Sequence, residues 1–259
     1  MTSPLALGLT VPLLGTTLGA ACVFFMKDAI KGALHNALNG FAAGVMVAAS
    51  VWSLLIPSME MSGRDGVMSV FPASIGFLGG IFFLLLIDTF TPHQHLDSSH
   101  SEGPKIKMTR TSKLLFAITI HNIPEGMAVG VAFAAAMDGV HYLPMSAAIA
   151  LAVGIAIQNF PEGAIVSMPL RAAGQSKMRA FWLSVLAGAV EPLALIVTLL
   201  ITDSIIPLLP YVLSFAAGAM FYVVVEELIP ETQQGKHSNL GTIGFSIGFV
   251  LMMVLDVVL

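Results

Sequence analysis

The chain has 259 residues, 56% of them hydrophobic and 10% charged, with a formal net charge of −4 and a mean hydropathy of +0.90. Soluble domains carry about 25% charged residues, so an ordinary water-facing surface is excluded, and nothing in this charge balance provides for a nucleic-acid partner. Cys22 is the single cysteine; it can form no internal disulfide, has no metal-type spacing around it, and reads as a core residue.

A run of about 20 apolar residues crosses the hydrocarbon core as a helix. Eight such stretches follow one another, at 4–26, 38–57, 70–91, 112–136, 143–169, 180–202, 206–229 and 240–259. Gly and Pro inside them are compatible with membrane helices. Met1–Gly15 contains no Lys or Arg, so the first stretch lacks the basic start of a secretory signal and reads as a retained span. The basic residues fall on alternate connections. Lys27 and Lys31 follow span 1, and Lys105, Lys107, Arg110 and Lys113 precede span 4. Arg171, Lys177 and Arg179 separate spans 5 and 6, and Lys236 separates spans 7 and 8. Of the 11 Lys and Arg, Arg64 alone lies on the other side. Lys and Arg accumulate in cytoplasmic connections, which places both termini outside and agrees with an even number of spans.

Spans 2 and 7 share Phe41-Ala-Ala-Gly-Val-Met46 and Phe215-Ala-Ala-Gly-Ala-Met220. Spans 3 and 8 share Ile75-Gly-Phe, Gly80 and Asp88 with Ile243-Gly-Phe, Gly248 and Asp256, at the same interval throughout. Spans 2 and 7 are expected to run in opposite directions, as are 3 and 8. The expected fold is therefore an all-α membrane protein of eight transmembrane helices, with an inverted repeat of spans 1–3 and 6–8 around central spans 4 and 5. Such repeats are a signature of secondary transporters, whose substrate site lies near the midplane.

Spans 4 and 5 carry a third similarity, Ile120-His-Asn-Ile-Pro-Glu-Gly126 and Ile157-Gln-Asn-Phe-Pro-Glu-Gly163. Each puts polar groups and a Glu at mid-membrane depth, where a charge costs a few kcal/mol or more. His121 and Glu125 are four residues apart, hence on one helical face, and Gln158 and Glu162 repeat that spacing. Pro124 and Pro161 have no amide hydrogen, so the carbonyls of Ile120 and Ile157 lose their usual helical partners. Span 6 adds Glu191 beside Pro192. Three carboxylates, an imidazole and three amides with no basic neighbour call for cations or protons. Imidazole suits zinc, iron, copper and nickel, while oxygen ligands extend the range to manganese. With no cysteine nearby, the ligation suits an ion that must leave again.

Met46 could reach the same level as a thioether ligand, although its spacing also fits packing. Glu60 and Asp256 outside, with Asp88, Glu226 and Glu227 inside, could form cation-attracting mouths, or serve as interfacial residues. The loop at 92–111 carries His93, His95 and His100 with Asp97 and Glu102; a His-containing cytoplasmic loop of this kind can bind metal weakly.

His121-Asn-Ile-Pro-Glu-Gly126, Gln158-Asn-Phe-Pro-Glu-Gly163 and Glu191 resemble the ZIP (Zrt/Irt-like) divalent metal transporter family, in particular its prokaryotic GufA-like branch. The eight-span layout extends that resemblance over nearly the whole chain, as a single transporter domain. It implies a binuclear site: His121, Glu125, Gln158, Glu162 and Glu191 for one ion, and Asn122, Glu125, Asn159, Glu162 and Glu191 for the other, with Met46 added to the first. Many members have His where this chain has Gln158, and some an acid at Asn159, so the second site here carries less charge. The resemblance further implies transport toward the cytoplasm, an elevator-like motion, a homodimer, and the plasma membrane of a prokaryote (the inner membrane in a Gram-negative cell).

Zinc is the first expectation as transported ion, with Mn2+, Fe2+, Co2+ and Ni2+ as alternatives and Cd2+ as a surrogate; no bound cofactor is expected. A selective metal channel is the competing transport reading. An intramembrane metalloenzyme would need more than His121-x-x-x-Glu125, since His-Glu-x-x-His is absent, and no phosphate-binding loop points to ATP-driven pumping. The basic asymmetry makes a direct prediction. An impermeant thiol reagent added outside should label a cysteine placed at position 63 and spare cysteines at 103 and 175; the opposite pattern would reverse the orientation.

Overall fold

Within a bilayer every backbone N–H and C=O needs an internal partner, and a helix supplies one from its own segment. The computed structural model describes residues 4–25, 32–63, 66–90, 110–139, 143–201, 208–233 and 238–258. They form eight long helices: α1 (Pro4–Phe25), α2 (Ala33–Glu60), α3 (Val67–Phe90), α4 (Arg110–Met137), α5 (Met145–Ala172), α6 (Lys177–Leu200), α7 (Leu209–Thr232) and α8 (Leu240–Val258). No strand occurs among the described residues. The chain is thus an all-helical membrane protein, and each apolar stretch read from the sequence is one helix. The largest boundary shift is at α2, which starts at Ala33 rather than 38, because Asn36 and Asn39 turn inward and are buried instead of marking an interface. His93, Asp97, His95, His100, Glu102, Lys27, Lys31, Arg64, Lys105, Lys107 and Lys236 lie outside the described residues.

Seven of these helices are long and apolar enough to cross a membrane. The eighth, α4, has the length, at 28 residues, but its middle holds His121, Asn122 and Glu125. The outward faces are apolar, as lipid contact demands: on α3 alone Phe71, Leu78, Phe82 and Leu86 are exposed.

Packing sorts the helices into two bundles. In the first, α1 lies along α5 and α4 along α6; in the second, α2 lies along α8 and α7 along α3. Glycine makes these contacts close. A Cβ on Gly15 or Gly19 of α1 would strike the carbonyl oxygens of Ala156 or Phe160 in α5, and one on Gly163 that of Thr16 in α1. In the second bundle a Cβ on Gly44 would strike Phe245 O in α8, and one on Gly218 Phe77 O in α3. Gly248 faces Phe41 O, and Gly80 faces Phe215 O. These four contacts interchange when each residue is replaced by its sequence-repeat counterpart. Asp88 and Asp256, themselves repeat counterparts, each accept from a hydroxyl of the helix they pack against, although the donors do not correspond: Tyr222 Oη of α7 at 2.9 Å and Ser53 Oγ of α2 at 2.5 Å.

Gly44 and Gly218 fasten α2 to α8 and α7 to α3. The two bundles cut across the sequence repeat, since α1 and α6 pack with α4 and α5. Where the bundles meet, α2 against α5 and α7 against α4, the buried faces of α2 and α7 offer Ala42, Ala43, Met46, Ala49, Ala216, Ala217 and Met220.

α2 and α7 share a local irregularity. Residues Ser50–Leu55 and Val224–Leu228 are π-helical, and the N–H groups of Ile56 and Ile229 reach back to Val51 O and Val224 O. Each is followed by a proline, Pro57 or Pro230, that has no N–H to give. Such turns gather at functional sites.

Gly80→Val and Gly248→Val should each destabilise the purified protein by about 1–3 kcal/mol, because backbone must move to admit the side chain. Gly154→Ala should cost less, since its Cβ would meet only the flexible end of Met252. Thermal unfolding in detergent compares the three; equal losses would contradict the contrast between backbone and side-chain contacts.

Candidate metal centre

Three glutamates converge from three helices of the first bundle. Glu125 of α4 and Glu191 of α6 are each 2% exposed, and Glu162 of α5 sits beside Glu125. Each is met by one carboxamide. Asn159 Nδ2 donates to Glu191 Oε2 at 2.7 Å. The surroundings of Asn122 assign its amide nitrogen toward Glu162 Oε1, at 2.8 Å. Gln158 donates to Glu125 and, through Nε2, to Asn159 Oδ1 at 2.7 Å. The two motifs thus interlock: the first motif's Glu is held by the second motif's Gln158, and the second motif's Glu by the first motif's Asn122. Glu125 Oε2 is buried with no hydrogen-bond partner. A buried carboxylate oxygen left open among two other acids is a position for a cation.

Local backbone explains the convergence. α4 and α5 run unbroken through Pro124 and Pro161. α6 is interrupted at Ala189, between Gly188 and Val190, where Pro192 withholds the N–H that would have closed the turn. Glu191 therefore lies in the first turn of the helix that resumes at Val190. The glycine ending each motif lets the neighbours in. A Cβ on Gly126 would strike the Glu191 carbonyl oxygen, and Gly163 is pressed against α1. These two glycines were not singled out in the sequence as site residues, although a Gly directly after each motif Glu was the available sign.

His121 is placed differently. Its Nδ1 lies 2.9 Å from Glu227 Oε2, so the imidazole reaches across to α7 of the second bundle. Glu227, expected at the inner mouth, is carried to His121 by the π-helical turn that holds it. Among the described residues no three or more His, Cys, Asp or Glu are gathered closely enough to enclose an ion, since amides stand between the carboxylates. Met46 is 2% exposed and packs in the central apolar core of α2. Glu60 and Glu226 are exposed, and Asp88 and Asp256 are half-buried with the hydroxyl partners given above. Among the described residues no Lys or Arg contacts the site, and amide and carboxylate oxygens with one imidazole nearby form a donor set for divalent transition metals.

Residues 92–256 match the family model described as ZIP zinc transporter. The chain is 37% identical to the zinc transporter ZIP11 of Homo sapiens, over 93% of each chain. It is 36% identical to the zinc transporter ZIPB of Bordetella bronchiseptica, over 94% of this chain and 77% of that one. It is also 36% identical to the zinc transporter GufA of Myxococcus xanthus, over 84% of each.

Gly126→Ala tests the construction of the site. A methyl group there must push α6 from α4 and shift Glu191, so Cd2+ affinity measured calorimetrically should fall about tenfold, the scale of a lost supporting contact at a metal site. Unchanged affinity would mean that the α4–α6 approach does not set the position of Glu191.

Proposed function

The chain belongs to the ZIP zinc transporter family, and from that premise we propose that it carries Zn2+ toward the cytoplasm through a binuclear site built by α4, α5 and α6. It is a multi-pass membrane transporter rather than an enzyme, and zinc is its transported substrate. The observation that carries the finer reading is the interlocked set of three glutamates, Glu125 and Glu191 buried and Glu162 partly so, each held by one amide. A divalent ion entering between the carboxylates offers more attraction than an amide N–H, so the amides can turn and present their oxygens instead. Glu125, Glu162 and Glu191 then serve both ions. His121 and Gln158 complete one set, with Met46 available to it, and Asn122 and Asn159 complete the other. With uncharged Asn159 the second ion is held more weakly.

An alternating, elevator-like mechanism suits the packing. Each bundle is fastened internally by backbone contacts at glycine, whereas the bundles meet through side chains such as Met252 against Gly154. One body can shift past the other while the three-helix site travels intact. The same reading makes the whole chain one transporter domain of a prokaryotic plasma membrane, functioning as a homodimer with both termini outside. The loop containing His93, His95 and His100 collects released ions, and Glu60, Asp88, Glu226 and Asp256 attract cations at the mouths.

Uptake into proteoliposomes across a panel of Zn2+, Mn2+, Fe2+, Co2+ and Ni2+ is the deciding experiment. Glu125→Ala and Glu162→Ala should each reduce uptake about a hundredfold or more, as loss of a shared ligand would, with normal membrane insertion. His121→Ala should weaken Zn2+ binding more than Mn2+ binding, because imidazole favours the softer ion. Normal uptake in both Glu variants would refute the site. A reversible cross-link between α2 and α5 should stop transport; undiminished flux through the linked protein would favour a channel.

A further inference from the structure

Beyond the three-glutamate site, metal-ligating side chains of the described residues continue along the facing sides of α2 and α7. Glu231 lies one turn past Glu227 on α7 and is 8% exposed. Asn39, 2% exposed, crosses from α2 and donates to Glu231 Oε2 at 2.7 Å. His35, one turn earlier on the same face of α2, has Nδ1 3.4 Å from the Asn39 amide nitrogen. Glu231 is also close enough to His121 for its charge to be felt there, as is that of Asp88. The chain of groups therefore runs from His121 to Glu227 at 2.9 Å, on to Glu231, and then to Asn39 and His35. It ends where α2 begins and α7 finishes, the end whose connections carry Lys27, Lys31 and Lys236 in the sequence.

We infer that His35, Asn39 and Glu231 form a second, weaker station for the transported divalent cation, on the release side of the main site. The inference rests on the transport reading above and extends it. The Asn39 amide stands between an imidazole nitrogen and a carboxylate oxygen, and both face it. A cation arriving at that point replaces the amide protons, takes His35 Nδ1 and Glu231 Oε2 as ligands, and gains the Asn39 oxygen once the amide turns. The remaining coordination is water from the nearby helix ends. One imidazole, one carboxylate and one amide give fewer anionic ligands than the main site, which makes binding weaker and suits a position that must empty quickly. His121 and Glu227 link the two stations. The imidazole that helps hold the ion in the first bundle already touches a carboxylate of the second, so the ion can pass between bundles without losing all its protein ligands at once.

The test uses the full chain. Cd2+ binding is titrated calorimetrically, and Zn2+ influx is measured in proteoliposomes, for the unaltered protein, Glu125→Ala, Glu231→Gln, Asn39→Leu and His35→Ala. A weak class of Cd2+ sites should persist in Glu125→Ala and weaken about tenfold or more in Glu231→Gln and His35→Ala. Influx in those two variants should show a reduced maximal rate with a nearly unchanged KM, because the main site still captures the ion. Glu231→Asp should recover much of the rate, which a merely structural role for Glu231 would not require. Should Glu231→Gln fail to fold, His35→Ala supplies the same reading from a half-exposed side chain. Weak binding that survives both changes, or full-rate influx in both, overturns the station. Full influx in Glu125→Ala instead overturns the main-site reading, so the two failures are distinct.

Discussion

A carboxylate at the centre of a membrane-spanning bundle costs about 3 kcal/mol even on the mildest insertion scale, and here three of them meet from three helices. The burial is tolerable only if their charge is answered. The residues that touch them are amides, which donate hydrogen bonds but bring no positive charge. That choice shapes the rest of the site. A lysine or arginine would have neutralised the acids permanently and closed the site to other cations. An amide stabilises a carboxylate by less, and it can reverse its orientation, offering either a donor or an acceptor at nearly the same place. The three glutamates are thus held by groups that can change partners, as the proposed passage of an ion requires.

Position matters as much as chemistry, and position is set by glycine. At Gly126 the backbone of α4 meets that of α6 at Glu191; at Gly163, α5 meets α1. In the second bundle Gly44, Gly80, Gly218 and Gly248 bring other helix pairs to the same proximity. Without a hydrophobic driving force between helices in lipid, such close approach is a main source of association. Backbone-to-backbone contacts resist sliding, because carbonyls and Cα hydrogens interdigitate along the seam. Side chains with rotatable ends, such as Met252, yield. The distribution of the two kinds of contact divides the molecule into stiff bodies and a softer boundary. His121 and Glu227 form a polar contact across that boundary.

Much of this could be read before any coordinates. Eight runs of apolar residues give eight helices because lipid leaves the backbone no alternative. The paired motifs in spans 4 and 5 stand out because a Glu there is costly and a Pro beside it is unusual. Which helices would pair was harder to see. The small residues of span 2 mark a close approach but do not name the partner, and Gly44 turned out to face α8. Glu227 was read at the inner mouth from its distance along the helix, whereas the π turn changes the direction in which it points. His35, Asn39 and Glu231 were passed over for a related reason: hydropathy treats polar residues near a span end as interface, and only the fold shows Asn39 and Glu231 meeting each other inside.

The π-helical turns in α2 and α7 have a consequence for how these helices tolerate change in length. A turn with one residue more than the α-helix needs gives its helix two azimuthal phases, one before the turn and one after. In α7 the face with Ala216, Ala217 and Met220 belongs to the first phase, and Glu231 to the second. Removing a single residue from Val224–Leu228 would close that turn to regular α geometry and leave the segments on either side near their present orientation. Removing one from a regular part of α7 would instead swing everything downstream by about 100°, taking Glu231 away from Asn39. Each helix can therefore give up one residue within its π turn, Ser50–Leu55 in α2 or Val224–Leu228 in α7, whereas the residue counts of the regular segments on either side are fixed by the contacts they align.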